Sequence, residues 1–200
     1  MPVDVTTSDG SAVAPAHATL SVGSSLRIVP AFVALSVDAD LGVQTTVEAQ
    51  YKATEGRYVI KRVSVRAVRD DVEVNYPTVS KVRLQGVVQD AAPRCIFLTL
   101  DDEADPLADW VSVADLTTAK GRILPPAIAA EVVRRGGSEV RMEVVELLYG
   151  AAALAGLPPA RLLQTELGIP HRTASAWIIE ARNAGRLVGM NYNAGRQARQ

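Results

Sequence analysis

ARLLQTELGIPHRTASAWII, residues 160–179, reads as a helix, a tight turn and a second helix. Pro158 and Pro159 can start the first helix, whose leading amides lack intrahelical partners in any case. Leu162, Leu163 and Leu167 recur at helical spacing and form one apolar face. Gly168 falls where this helix must stop, because glycine takes a positive φ without steric cost. Ile169 then points back into a small core, Pro170 opens the second helix, and Thr173 lies in its first turn. Ala174, Trp177 or Ile178, and Ala181 form the inward face of that helix. His171, Arg172, Ser175, Ala176, Ile179, Arg182 and Asn183 face outward.

Leu163, Leu167, Gly168, Ile169, Thr173, Ala174 and Ser175 make up the pattern L-x-x-x-L-G-[IV]-x-x-x-T-[AV]-S. In this pattern the chain resembles the bacterial helix-turn-helix DNA-binding superfamily. With a supporting helix included, the resemblance spans residues 138–190. It implies that the second helix, residues 171–184, enters the DNA major groove and reads bases from its N-terminal part. His171, Arg172, Thr173, Ser175 and Ala176 are then the base-reading candidates. Arg172 is the side chain among them suited to bidentate contact with guanine. Gln164 stands where the pattern has a small residue, Pro170 where it has a hydroxyl cap, and Ala176 where it has a polar reader. The alternative for such a stretch is a plain helical hairpin, or a helix-turn-helix used for protein contacts.

The chain has 200 residues, 48% apolar and 22% charged, which is globular usage. The net charge is −1, so there is no bulk attraction to a polyanion. Its distribution is uneven. From Ala160 onward Arg161, Arg172, Arg182, Arg186, Arg196 and Arg199 oppose only Glu166 and Glu180, a segment charge of about +4 that leaves the rest near −5. An acidic body with a basic end suits a DNA-binding module, with Arg161, Arg182, Arg186, Arg196 and Arg199 as candidate phosphate contacts.

Cys95 is the single cysteine, which excludes an internal disulfide and a multi-cysteine zinc site and agrees with a reducing cytoplasm. It lies in Cys-Ile-Phe-Leu and reads as a small buried hydrophobe. The apolar run Ile28 to Val37 lies too far from the start for a signal peptide and is too short for a membrane span. It reads as a buried strand.

Residues 1–18 are rich in Ser, Thr, Ala, Pro and Asp and read as a disordered tail. Residues 19–120 read as a small α+β domain. Leu26 to Val37, Val43 to Ala53 and Arg57 to Val68 have strand composition, with Thr54-Glu55-Gly56 as a hairpin loop. The last run alternates, with Val59, Lys61, Val63, Val65 and Ala67 on one side and Tyr58, Ile60, Arg62, Ser64, Arg66 and Val68 on the other. Val79 to Val88 is expected to form a short helix weakened by Gly86, Arg94 to Leu100 a strand, and Pro106 to Val113 a helix. The carboxylates of Asp101 to Asp105 read as a solvated acidic turn. Residues 121–137 form a linker with a short helix. A helix from Glu139 to about Ala155, capped by Ser138, carries a stripe of Val140, Val144, Leu147, Leu148 and Ala151. Arg186 to Gly189 suggests one short strand, and residues 191–200 a basic tail.

The expected class is therefore α+β, an antiparallel β-sheet domain with short helices followed by a trihelical helix-turn-helix domain. The expected function is a sequence-specific transcriptional regulator or phage-type repressor in the cytoplasm. Its partner is double-stranded DNA, with a homodimer through the N-terminal domain or an effector bound there; no membrane is involved. The alternative is an assembly, packaging or adaptor protein. No nucleophile–base pair and no phosphate loop is visible, so no enzymatic activity and no cofactor or metal is expected.

Overall fold

The computed structural model describes residues 3–99, 109–118, 121–135 and 138–192. The architecture is α+β, with antiparallel sheets first and helices after them. Strands β1 (Val3–Thr7), β4 (Ala31–Asp38), β5 (Val43–Lys52) and β6 (Arg57–Ala67) form one four-stranded sheet in the order β1-β4-β5-β6. Strands β2 (Leu20–Val22), β3 (Leu26–Ile28), β7 (Ile96–Thr99) and β8 (Trp110–Ser112) form a second in the order β2-β3-β7-β8. The run expected as one strand from Leu26 breaks at Val29-Pro30 and so feeds both sheets. Tyr58, 1% exposed, ties them together: its hydroxyl donates to the Val29 carbonyl at 2.8 Å, and its ring meets Phe32 edge-on at 4.9 Å.

The expected tail contains β1. Val3, Val5 and Thr7 pair with Ser36, Ala34 and Phe32 and cover the open edge of β4. The polar composition around them masks this short alternation. The expected two faces of β6 also change, because a bulge at Lys61 lets Ile60 oppose Ala49 and Arg62 oppose Glu48. Tyr58 and Ile60 before the bulge, and Val63, Val65 and Ala67 after it, oppose Tyr51, Ala49, Val47, Thr45 and Val43 of β5; of these β6 residues Tyr58 is buried and Val63 is exposed.

The helix expected at Val79 to Val88 is two. Asn75 caps α1 (Tyr76–Val79), accepting the Thr78 amide at 3.1 Å, and the chain restarts as α2 (Leu84–Ala91). Val87, Val88 and Ala91 of α2 are buried, and the helix packs on β1, β4 and β5. Trp110–Ser112, expected as helix, is strand β8, because Ser112 pairs with Phe97 and then caps α3 (Val113–Leu116) through its Oγ. Asp101 to Asp105 lie outside the described residues.

The C-terminal half is helical, with α4 (Pro126–Arg135), α5 (Ser138–Ala155), α6 (Pro159–Leu167) and α7 (His171–Asn183). The expected linker is more than a connector over its described residues, 121–135. Ile123 and Leu124 are buried, and α4 packs on α5 and α6 with Ala129 and Val132 buried. Buried apolar side chains from Val3 to Met190 form one continuous core, so the two expected domains share it. No helix among the described residues is long and apolar enough to cross a membrane.

The centre of this core is α5. Its expected single stripe holds at Leu148 and Ala151, while Val140 is 51% exposed. Its C-terminal half is buried all round, with Tyr149, Ala152, Ala153, Leu154 and Ala155 covered as well. Gly150 permits this: a Cβ there would collide with Leu26 Cδ1 and lie 2.8 Å from Met190 Sδ, and both neighbours are 1% exposed. Gly150→Ala gains helix propensity but overpacks this contact, and should destabilise the protein by about 1–3 kcal/mol in urea unfolding. Burial pushes the Cys95 thiol up to about 12 from 9.0. Cys95 should resist a thiol reagent at pH 8 in the native protein and react on unfolding. Because the folded thiol titrates above the unfolded one, stability should fall as pH rises from about 9 toward 12.

Candidate nucleic-acid interface

The geometry of α6 and α7 is set locally. Pro159 occupies the first turn of α6, where no intrahelical amide is needed. Gly168 ends α6 in the left-handed region at φ 65°, its N–H bonded to the Gln164 carbonyl at 3.0 Å. Pro170, extended at φ −60° and ψ 147°, opens α7 without a side-chain cap. Leu163, Leu167, Ile169, Ala174, Ile178 and Ala181 are buried between these helices and α5. Ile178 rather than Trp177 takes the inward position; Trp177 is half-buried, with the Arg141 guanidinium 5.3 Å from its ring centre. Gln164 is exposed and does not enter the helix contact.

His171, Arg172 and Ala176 are exposed on the N-terminal part of α7, while Thr173 and Ser175 are half-buried. Arg172, Ala176, Ile179 and Asn183 form an outer ridge at helical spacing. Beside it, His171, Ser175, Ile179 and Arg182 border an open groove of about 410 Å³, whose far wall includes Tyr149 and Arg161. Arg161 and Arg182 are both exposed and lie on this one face. Arg182 Nη2 donates to the Tyr149 hydroxyl at 2.9 Å, a neutral partner that aims the guanidinium and leaves its charge in place.

Arg186 is placed differently from the phosphate role expected for it. It ion-pairs with Glu139, donates to Ser24 Oγ at 2.9 Å and lies 3.8 Å from the Glu146 carboxylate. Its charge is met inside the protein. Arg196 and Arg199 lie outside the described residues. The strand suggested at Arg186 to Gly189 is a turn: Gly185 and Gly189 take φ values of 77° and 79°, which interrupt an extended run. Met190 after it is buried, and the Tyr51 hydroxyl donates to the Gly189 carbonyl at 2.6 Å.

Two buried carboxylates that composition and spacing did not single out hold this unit on the rest of the fold. Glu146 of α5, 0% exposed, accepts the Ser24 amide at 2.5 Å, the Ser24 hydroxyl at 2.6 Å and the Ser25 amide at 3.0 Å. Glu166 of α6, 1% exposed, accepts the Ile123 and Leu124 amides, each at 3.1 Å, beside Arg122. Charged residues are buried only when so paired. The one legible signal was Glu146 lying amid apolar α5 positions, with Val145 before it and Leu147-Leu148 after.

Compared with family models, curated proteins and solved structures, the chain gives no match. Glu146→Ala should cost roughly 3 kcal/mol in urea unfolding, because it leaves the Ser24 and Ser25 amides without their acceptor. Glu146→Gln, which keeps one acceptor, should cost less. A loss below about 1 kcal/mol for Glu146→Ala would mean that the carboxylate is not the clamp.

Proposed function

We propose that the protein is a sequence-specific DNA-binding protein of the transcriptional regulator or phage-type repressor kind, reading the major groove with α7. The observation that carries this reading is the exposed N-terminal ridge of α7. It follows a left-handed glycine turn and presents Arg172 beside a groove bordered by Arg161 and Arg182. Arg172 would form paired hydrogen bonds to guanine, with His171, Thr173, Ser175 and Ala176 shaping the fit. Arg161 and Arg182 would neutralise phosphates on the same face. Arg186 drops out of that set because its partners are internal.

A single trihelical unit covers little DNA, so a second copy on a second half-site would supply the missing affinity. Such a protein acts in the cytoplasm. The apolar groove beside Ile179, itself 57% exposed, favours a second reading in which the same face holds a protein, as in an assembly or adaptor role.

The test is fluorescence anisotropy with duplex DNA across a salt series. Arg172→Ala should lose about 1–3 kcal/mol on a preferred sequence and little on others. Arg161→Ala should weaken all sequences alike and reduce the salt slope by about one unit. Binding unchanged by both substitutions would remove α7 as the reading helix.

A further inference from the structure

Helix α2 crosses the inner face of the β1-β4-β5-β6 sheet without filling it. A cavity of about 250 Å³ remains between the helix and the strands. Its lining includes Ser36 of β4 and Thr45 of β5, with Gly86 on α2 and Asp38, Arg83 and Asp90 among the charged groups. Gly86 and Asp90 share one face of α2 by their spacing, and Arg83 is the residue that precedes the helix.

Three independent features set this space apart. Ser36 is 1% exposed, and its Oγ has no hydrogen-bond partner. An unpaired buried hydroxyl is costly, and alanine would fill the same strand position without that cost. Gly86 lowers helix stability relative to alanine, yet packing does not demand it. A Cβ there would meet nothing closer than Arg83 Cβ at 3.5 Å. What glycine preserves is open volume. The charges are the third feature. Among the described residues, Arg83 and Asp90 line the same cavity and form no ion pair. Asp38 holds the Leu41 amide at 2.9 Å and is thereby fixed at the cavity.

We propose that this cavity binds a small zwitterion of the α-amino-acid class. Arg83 takes the carboxylate, Asp38 and Asp90 take the ammonium, and Ser36 Oγ hydrogen-bonds a polar group on the inner end. The volume falls below the usual range of drug-sized pockets, which limits the occupant to a molecule of this size. Both charge signs at one opening favour a zwitterion over a neutral polyol or a simple ion, since each end then meets an opposite charge. The site lies away from α7, and its test involves no DNA, so it stands or falls separately from the DNA-binding reading.

The experiment uses the full chain with each standard amino acid in turn, read by thermal unfolding and by saturation-transfer NMR. Acetate, ethylammonium and glycerol serve as single-charge and neutral controls. At least one amino acid should raise Tm saturably and give a transfer signal, while the controls at equal concentration do not. Gly86→Leu should abolish the effect by filling the cavity, and Arg83→Ala should weaken it at least about tenfold. Arg83 is exposed, so its variant carries the test even if Gly86→Leu does not fold. The proposal is overturned if no amino acid binds saturably, if a control binds as well, or if binding survives Arg83→Ala unchanged.

Discussion

The Glu146 carboxylate is the constraint on which the arrangement of this protein depends. With no exposed surface, it must find its partners inside, and it finds them in the turn between β2 and β3. That turn lies 122 residues earlier in the chain. The Gly23 amide in the same turn donates to the Val188 carbonyl at 2.9 Å, and Arg186 reaches Ser24. One carboxylate thus gathers the second sheet, α5 and the segment after α7. A buried charge adds little net stability, because its desolvation cost offsets its attraction. It does penalise any arrangement that leaves it unpaired. Glu166 does the same for residues 122–124 against α6.

The consequence is that α7 is held at a fixed angle to the sheets. Helix α5 is at once the support of α6 and α7 and a wall of the N-terminal core, so neither half can move without opening the other. The run Gly150 to Ala155 has side chains no larger than a methyl at every position but Leu154, which lets neighbours approach on all sides. α2 touches α5 as well, with Gln85 Nε2 3.5 Å from the Ala155 carbonyl. The helix roofing the polar cavity and the helix supporting α6 and α7 are therefore in contact.

The elements visible in the sequence were those whose causes are local. Gly168, the leucines before it and Ala174 after it encode α6, the turn and α7 within twenty or so residues, and helix periodicity exposes them. β5 and β6 were likewise visible in their β-branched runs, with Gly56 closing the hairpin. The hidden elements depend on partners far along the chain. β1 is a strand because β4 offers it an edge. The Lys61 bulge inverts the expected alternation of β6, since a period-two pattern cannot reveal one extra residue. Glu166 looks like a solvated helix residue until its amide partners are known, and Glu146 is set apart only by its apolar neighbours Val145, Leu147 and Leu148. At the candidate interface the exposure of His171, Arg172 and Ala176 followed from helical spacing. Commitment of Arg186 to Ser24, Glu139 and Glu146 did not, because those residues lie on other elements.

DNA reading by α7 can be tested by selection of bound duplexes from a randomised DNA library with the full chain at moderate salt. DNA reading by α7 predicts a short enriched motif containing guanine, whose enrichment is lost with Arg172→Ala. Two copies of that motif about one helical turn apart would show that the protein binds as a pair. Recovery of no motif, or of one that survives Arg172→Ala, would show that α7 does not read DNA.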